Sequence, residues 1–325
     1  MITKLVNGTW VVLITSGYNN IPNADGSSSG DGHGYLYVLN AATGQIINKI
    51  DTGEGDTSNP SGLREINNYV ANAGLDNTTL RAYGGDLLGN VWRFDVNDNI
   101  DPPGLEAAKI TTLLDPSGNP QPITTRVQLA EVNGTTMVVA ATGQLLGSSD
   151  LGTTQVQSVY GFTDALTAAV QYPNLRDTSK ILTLSESGNI RTAVCSVVAN
   201  CAFTTGWIVD LPQLYERVNV DPFIVGSTVT FASNIPSSSA CIANGTSWLN
   251  YVDLLTGGTV PSSATGESSV RLPSALVVGL NYVVLSTGQV IAHVSLSAGQ
   301  VLPYTIPVEP PSPVGKRVSW REISK

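Results

Sequence analysis

Short runs in which apolar side chains take every second position recur from one end of the chain to the other, among them TWVVLITSG (9–17), TTMVVAATG (135–143), VQSVYGF (156–162) and STVTFASNI (227–235). Alternation of this kind sends successive side chains to opposite faces of a pleated strand, one face buried and the other wet. No segment holds a 3.6-residue period, so the pattern predicts strands and turns throughout and no substantial helix. The most apolar of the longer stretches, ALVVGLNYVVL (275–285), is interrupted by Gly279 and Asn281, which predicts a hairpin there. WVVLI (10–14) is shorter than the apolar region of a signal peptide, and a membrane helix needs about 18 apolar residues. The chain is therefore read as having neither a signal peptide of its own nor a membrane span.

The strands end in a repeated turn. In LYVLNAATGQII (36–47), VWRFDVNDN (91–99), LNYVDLLTGGTV (249–260) and AHVSLSAGQVL (292–302) an alternating run closes on Asn40, Asp95, Asp253 or Ser295, and Gly44, Asn99, Gly257 or Gly299 stands four residues on. A short polar side chain closes an Asx- or Ser-type turn, the Gly or Asn takes the positive φ, and the next strand returns antiparallel. A hairpin cannot bury its apolar face alone, so many of them joined by irregular loops predict an all-β protein of stacked blades, a β-propeller of about five four-stranded sheets. Trp92 and Phe94 stand two apart, hence on one face, near Gly84 and Gly85, which permit close backbone approach. That stretch reads as a buried inner hairpin: Trp92→Ala should destabilise it strongly and Asn97→Ala, at the turn's centre, should matter little. Trp207, Trp248 and Trp320 are read as packing residues in the same way. The loops GYNNIPNADGSSSGDGHG (17–34), DNIDPPG (98–104) and DPSGNPQP (115–122) are too polar to pack and are expected to project from blade ends, where binding would sit.

Charge narrows the partners. Lys and Arg number 16 against 25 Asp and Glu, a net charge of −9, with no basic cluster to neutralise a row of phosphates, so nucleic acid is not an expected partner. Charged residues make up only 13% of the chain, well below the roughly 25% usual in soluble domains, a profile that suits an exported β-rich protein. The chain has three cysteines and two histidines, too few at metal-site spacings for structural zinc. In CSVVANC, Cys195 and Cys201 are placed for a local disulfide in an oxidising compartment; buried thiols are the alternative, and Cys241 could pair with either. GDGHG (30–34) leads into a strand and not a helix, so it is not a phosphate loop. His33 and His293 lack the carboxylate and elbow serine of a triad. Glu54, Asp56, Glu65, Asp221 and Glu267 are tied into no pair by any motif and are read as solvated loop charges.

Six blocks in order, SGYNN with GDGHGYLYVLNAATGQIINKIDTG (16–53), YGGDLLGNVWRFD (83–95), ATGQLLGSSDLGTTQVQSVYGFTD (141–164), GWIVDLPQLYERV (206–218), NIPSSSACIANGTSWLNYVDLLTGG (234–258) and GKRVSWREI (315–323), resemble the C-terminal β-propeller of the PilC/PilY family of type IV pilus biogenesis factors and tip adhesins. The resemblance covers nearly all of residues 1–325, read as one propeller domain. It implies a non-enzymatic, extracytoplasmic protein of the cell surface and pilus tip that supports pilus assembly and twitching motility and opposes retraction. The implied partners are a pilin or minor pilins and a surface or host-cell receptor. It also implies that the chain corresponds to the C-terminal part of a longer protein, with the propeller's front blades absent.

The family carries an Asp-rich calcium loop ahead of the YAGD-type block. The matching segment here, NAGLDNTTLRAYGGD (72–86), puts Asn72, Gly74, Asp76, Thr78 and Leu80 at the ligand positions. Asn72, Asp76 and Thr78 are thus the candidate metal residues, but one carboxylate is too few for Ca²⁺, which takes six to eight oxygens. No cofactor is expected, and calcium weakly or not at all. DVNDNID (95–101) also alternates oxygen-bearing side chains, yet Ile100 stands where such a loop turns on Gly, so a hairpin is expected. Two other readings are carried: a quinoprotein-like, pyrroloquinoline-quinone-dependent dehydrogenase, suggested by the NAATG and DLLTG turns but lacking an adjacent Cys-Cys pair, and a bare structural scaffold.

Overall fold

The computed structural model describes the chain except residues 24, 26–28, 71, 73–74, 98–105, 167–169, 197–204, 238–244, 309–314 and 318–325. Among the described residues the only helical pieces are 3₁₀ turns at Ser148–Gly152 and Leu175–Asp177; everything else regular is strand. The described residues divide into two compact units, those of 1–113 with 164–174, and those of 114–163 with 175–317.

The first unit holds two four-stranded antiparallel sheets in sequence order: β1 (Ile2–Lys4), β2 (Trp10–Thr15), β3 (Tyr35–Asn40) and β4 (Ile46–Asp51), then β5 (Ile66–Val70), β6 (Thr79–Gly85), β7 (Asn90–Phe94) and β8 (Ala107–Thr112). One face of the first sheet, with Val11, Leu13, Leu36, Val38 and Ile50, packs on Ile66, Ala82, Trp92 and Phe94 of the second and on Leu63 just ahead of it. The alternation forces this arrangement, because a one-residue slip would turn every one of those side chains to water. The outer face of the first sheet keeps Trp10, Ile14 and Ile46 exposed. Trp92 and Phe94 lie on one buried face, as their spacing requires, and Gly84 pairs with Trp92 across the β6–β7 ladder.

The turn at 40–44 forms as the sequence indicates: Asn40 Oδ1 accepts the backbone N–H groups of Ala42 and Thr43, Gly44 N–H donates to Asn40 O, and Gly44 takes φ +73°. At 95–99 Asp95 Oδ1 accepts the Asn97 N–H, and Asn99 lies outside the described residues.

In the second unit, β9 (Gln128–Val132), β10 (Thr135–Ala141), β11 (Ser158–Asp164), β12 (Lys180–Ser187), β13 (Ile190–Cys195), β14 (Gly206–Asp210), β15 (Phe223–Val225), β16 (Thr228–Pro236), β17 (Gly245–Asp253), β18 (Ser269–Arg271) and β22 (Gly315–Arg317) pair in the order 15-16-17-18-13-12-14-11-10-9-22. Pairing therefore runs on through 11 strands instead of stopping after each four. The join is the hairpin β12–β13, which in the sheet lies between β14 and β18: its first strand pairs parallel with β14 and its second reaches β18. Packed within the same unit, β19 (Val277–Val284), β20 (Val290–Leu296) and β21 (Val301–Ile306) form a three-stranded sheet.

Three local expectations are corrected here. Residues 275–285 are not a hairpin: β19 is one strand, and the interruption at Gly279 is absorbed as a register shift against β20. The turn after β20 is opened by Leu296 and not Ser295, since Gly299 N–H donates to Leu296 O while Ser295 still pairs with Val301. The turn at 253–257 is closed by Asp253 Oδ1 on Thr256 and by Gly257 at φ +65°, but the return strand begins only at Ser269. Gly257 approaches the Trp207 ring so closely that a Cβ would lie 2.6 Å from it, so tertiary packing and not hairpin geometry decides that turn.

Candidate functional site

The segment that resembles a calcium loop, residues 72–80, leads into β6. Asn72 and Asp76 are exposed and Thr78 half-buried, and the 72–76 turn is held by Asn72 O accepting the Leu75 and Asp76 N–H groups. The single carboxylate is already engaged: Lys4 Nζ lies 2.7 Å from Asp76 Oδ1, and Thr78 Oγ donates to the same oxygen at 2.8 Å. Those two hydrogen bonds, the lysine's first, hold the Asp76 carboxyl below its usual range. Gly74 lies outside the described residues and Leu80 brings no side-chain oxygen. This set does not fit a hard divalent cation, because an ammonium takes the one anionic ligand.

The acids singled out from sequence go to separate partners. Glu54 pairs with Lys109 at 2.6 Å, Glu65 with Arg64 at 2.6 Å, Asp221 accepts the Arg126 N–H, Glu267 accepts the Tyr251 hydroxyl, and Asp56 caps its own turn. No carboxylate pair for acid–base work arises among them. His33, read as lacking a carboxylate, has one: Asp51 Oδ1 lies 3.1 Å from its Nδ1. Asp51 ends β4, paired with Tyr35 of β3, a neighbour that no local spacing reveals. Cys195 is disulfide-bonded, while Cys201 and Cys241 lie outside the described residues, as does Trp320.

Trp92, Trp207 and Trp248 are all buried, and each finds a polar partner: Trp92 Nε1 donates to Asp86 Oδ2 at 2.8 Å, Trp207 Nε1 to Leu254 O at 2.8 Å, and the Arg191 guanidinium lies 3.9 Å from the Trp248 ring centroid. Asp86 also accepts Asn90 N–H, Asn90 Nδ2 and Ser61 Oγ; burial nonetheless pushes its carboxyl up, with these donors opposing the shift. Asn97 is a correction to the expectation of a passive turn residue. Its Oδ1 accepts the Val6 N–H at 2.9 Å, and its Nδ2 donates to Thr79 O at 2.8 Å and Leu80 O at 3.1 Å, which ties the β1–β2 loop to β6.

Sequence reasoning missed a cavity of about 280 Å³ in the second unit, lined by Pro122, Gln144, Asp150, Thr153, Gln157 and Arg217 together with Gln155. Arg217, 2% exposed, is fastened from four directions: Nε donates to Tyr215 O, Nη1 to Gln144 O and Asp150 O, and Nη2 to Thr153 O. Burial draws the guanidinium down from its usual value and Asp150 opposes the shift, yet Arg stays charged. Asp150 in turn accepts the Leu146 and Gly147 N–H groups on Oδ2 and Gln144 Nε2 on Oδ1. Gln157, 3% exposed, donates through Nε2 to Gln155 Oε1 at 3.1 Å, but its own Oε1 has no hydrogen-bond partner. A buried acceptor left unpaired costs about 1–3 kcal/mol. The cavity thus carries a matched charge pair and an unmet demand for a donor. Of the loops expected to carry binding, 115–122 borders it through Pro122.

A profile of the PilY1 beta-propeller domain matches residues 1–188. A Xylella fastidiosa protein named type IV pilus biogenesis factor PilY1 homolog is 28% identical over 342 aligned residues, covering 99% of this chain and 26% of its own length. Pseudomonas aeruginosa type IV pilus biogenesis factor PilY1 is 26% identical over 312, covering 79% of this chain and 25% of its own. The chain thus spans about a quarter of the length of these relatives. The crystal structure of the P. aeruginosa PilY1 C-terminal domain superposes with a TM-score of 0.73 at 20% identity, over 95% of this chain and 71% of that one, which establishes the fold as that β-propeller.

Proposed function

The chain belongs to the PilY1 β-propeller family, and from that premise we propose that it is a non-enzymatic module of a type IV pilus factor, acting outside the cytoplasm in pilus assembly, in opposing retraction and in adhesion at the fibre tip. The observation that carries this reading is the match of the propeller profile over residues 1–188, in company with relatives named type IV pilus biogenesis factors. Its partners are then a pilin or minor pilins within the fibre and a surface or host-cell receptor beyond it. Two physical features support it. The disulfide at Cys195 suits an oxidising compartment. The buried acids Asp86 and Glu216 each accept several donors within the fold, which suits a structural role.

The test is deletion of the encoding gene in its host, with surface pili counted by electron microscopy and twitching measured on agar. Loss of both, restored by the intact gene, is expected; undiminished piliation and motility would overturn the proposal.

A further inference from the structure

We propose that the polar cavity of the second unit is a binding site for one ring of a neutral sugar, with Gln157 as the acceptor that selects it. The proposal stands on the cavity alone and does not depend on a role in pili.

Four observations carry it. First, the volume, about 280 Å³, lies at the lower edge of small-molecule sites, room for a single ring and not for an oligosaccharide. Second, the lining is charge-balanced, because Arg217 and Asp150 are the cavity's two charged groups and are of opposite sign. An anion would meet Asp150 and a cation would meet Arg217, so an uncharged guest is favoured over either.

Third, the polar inventory calls for groups that both donate and accept. Gln157 Oε1 has no partner, and Asp150 Oδ1 accepts only Gln144 Nε2, so a guest must donate. A guanidinium has five N–H groups, and Arg217 commits four of them to backbone carbonyls, which leaves one on Nη2 that a guest can accept. Hydroxyl groups do both, and a pyranose presents several on one rigid frame at little entropic cost. Fourth, the ring of Pro122 is the apolar wall, suited to the C–H face of a sugar.

Gln157 lines the cavity with its Oε1 turned away from solvent, and its side chain is held by bonds of 3.1 and 3.5 Å to Gln155, the second the longest in the cluster. A small rotation brings the oxygen to a guest hydroxyl. Preorganised groups make the rest, since Arg217 and Asp150 are each fixed by several backbone partners.

The experiment is saturation-transfer difference NMR on the purified chain with methyl glycosides of glucose, galactose, mannose and N-acetylglucosamine, beside N-acetylneuraminate and glucosammonium as charged counterparts. At least one neutral glycoside should bind with a Kd on the order of 1 mM and outcompete both charged sugars. Gln157→Leu removes the orphan acceptor at similar volume and should weaken that binding about tenfold or more while leaving the melting temperature unchanged or raised. Gln144→Ala, a half-buried position, gives the second variant should the first fail to fold, and is expected to weaken binding likewise. Absence of transfer from every neutral sugar means the cavity holds solvent alone and overturns the proposal. So do stronger binding of a charged sugar, or binding unaffected by the variants.

Discussion

Replacing Trp92 with Ala probes the centre of the first unit's core. The indole is 2% exposed, shares a face with Phe94, packs among Leu63, Ile66 and Ala82, and donates its N–H to Asp86 Oδ2 at 2.8 Å. Truncating a buried aromatic costs about 3–5 kcal/mol in lost transfer energy and residual cavity. Removing one of the Asp86 donors adds roughly 1 kcal/mol, a modest term because Ser61 Oγ and both nitrogens of Asn90 remain on that carboxylate. The total is a large part of a typical stability of roughly 5–15 kcal/mol. At roughly 3 °C per kcal/mol for a unit of this size, the transition carrying the first unit should fall by about 10 °C or more. Trp92→Phe keeps most of the ring and loses the N–H, so it should fall between wild type and Ala. Far-UV circular dichroism read against temperature and urea measures both. A Trp92→Ala protein that melts within about 1 °C of wild type would refute the packing argument and reopen the stretch as a site.

Asn97→Ala, which local turn logic would leave neutral, should cost about 1–3 kcal/mol, because three hydrogen bonds to Val6, Thr79 and Leu80 disappear; an unshifted urea midpoint would contradict it. Asp86 gives a pH signature. Its carboxyl is raised by burial, so the fold holds the proton more tightly than the unfolded chain does. The stability this group contributes is full below the usual carboxylate value and is lost as pH rises through the raised one. The wild-type advantage over Asp86→Asn should therefore narrow with rising pH across that window, and an advantage that widens would show that the donors outweigh burial. Calcium should not stabilise the chain: a micromolar site would add about 4 kcal/mol at 1 mM Ca²⁺, so an upward shift in melting that Asp76→Ala abolishes would disprove the lysine occupancy of that loop.

What the sequence determined by itself is local. Alternation fixes which side chains of β2, β3 and β7 face inward, and the Asn40 to Gly44 spacing closes its turn with bonds that span at most four residues. The all-β class follows from such patterns, and the ordered blocks pointed to the family because they record the blades' repeated chemistry. The tertiary structure decided whatever depends on partners far along the chain. Lys4 reaches Asp76, Asn97 reaches Val6, and Arg217 reaches Gln144 and Asp150, across separations of up to 91 residues. The hairpin expected at 275–285 became a single strand because β20 offers a continuous ladder that a bulge at Gly279 can join. Gln157 looks like any strand-edge amide in sequence, and only the packing of three separate segments leaves its oxygen without a partner. A hydrogen bond is satisfied or orphaned by atoms within about 3 Å, and sequence neighbours are seldom the atoms that come that close.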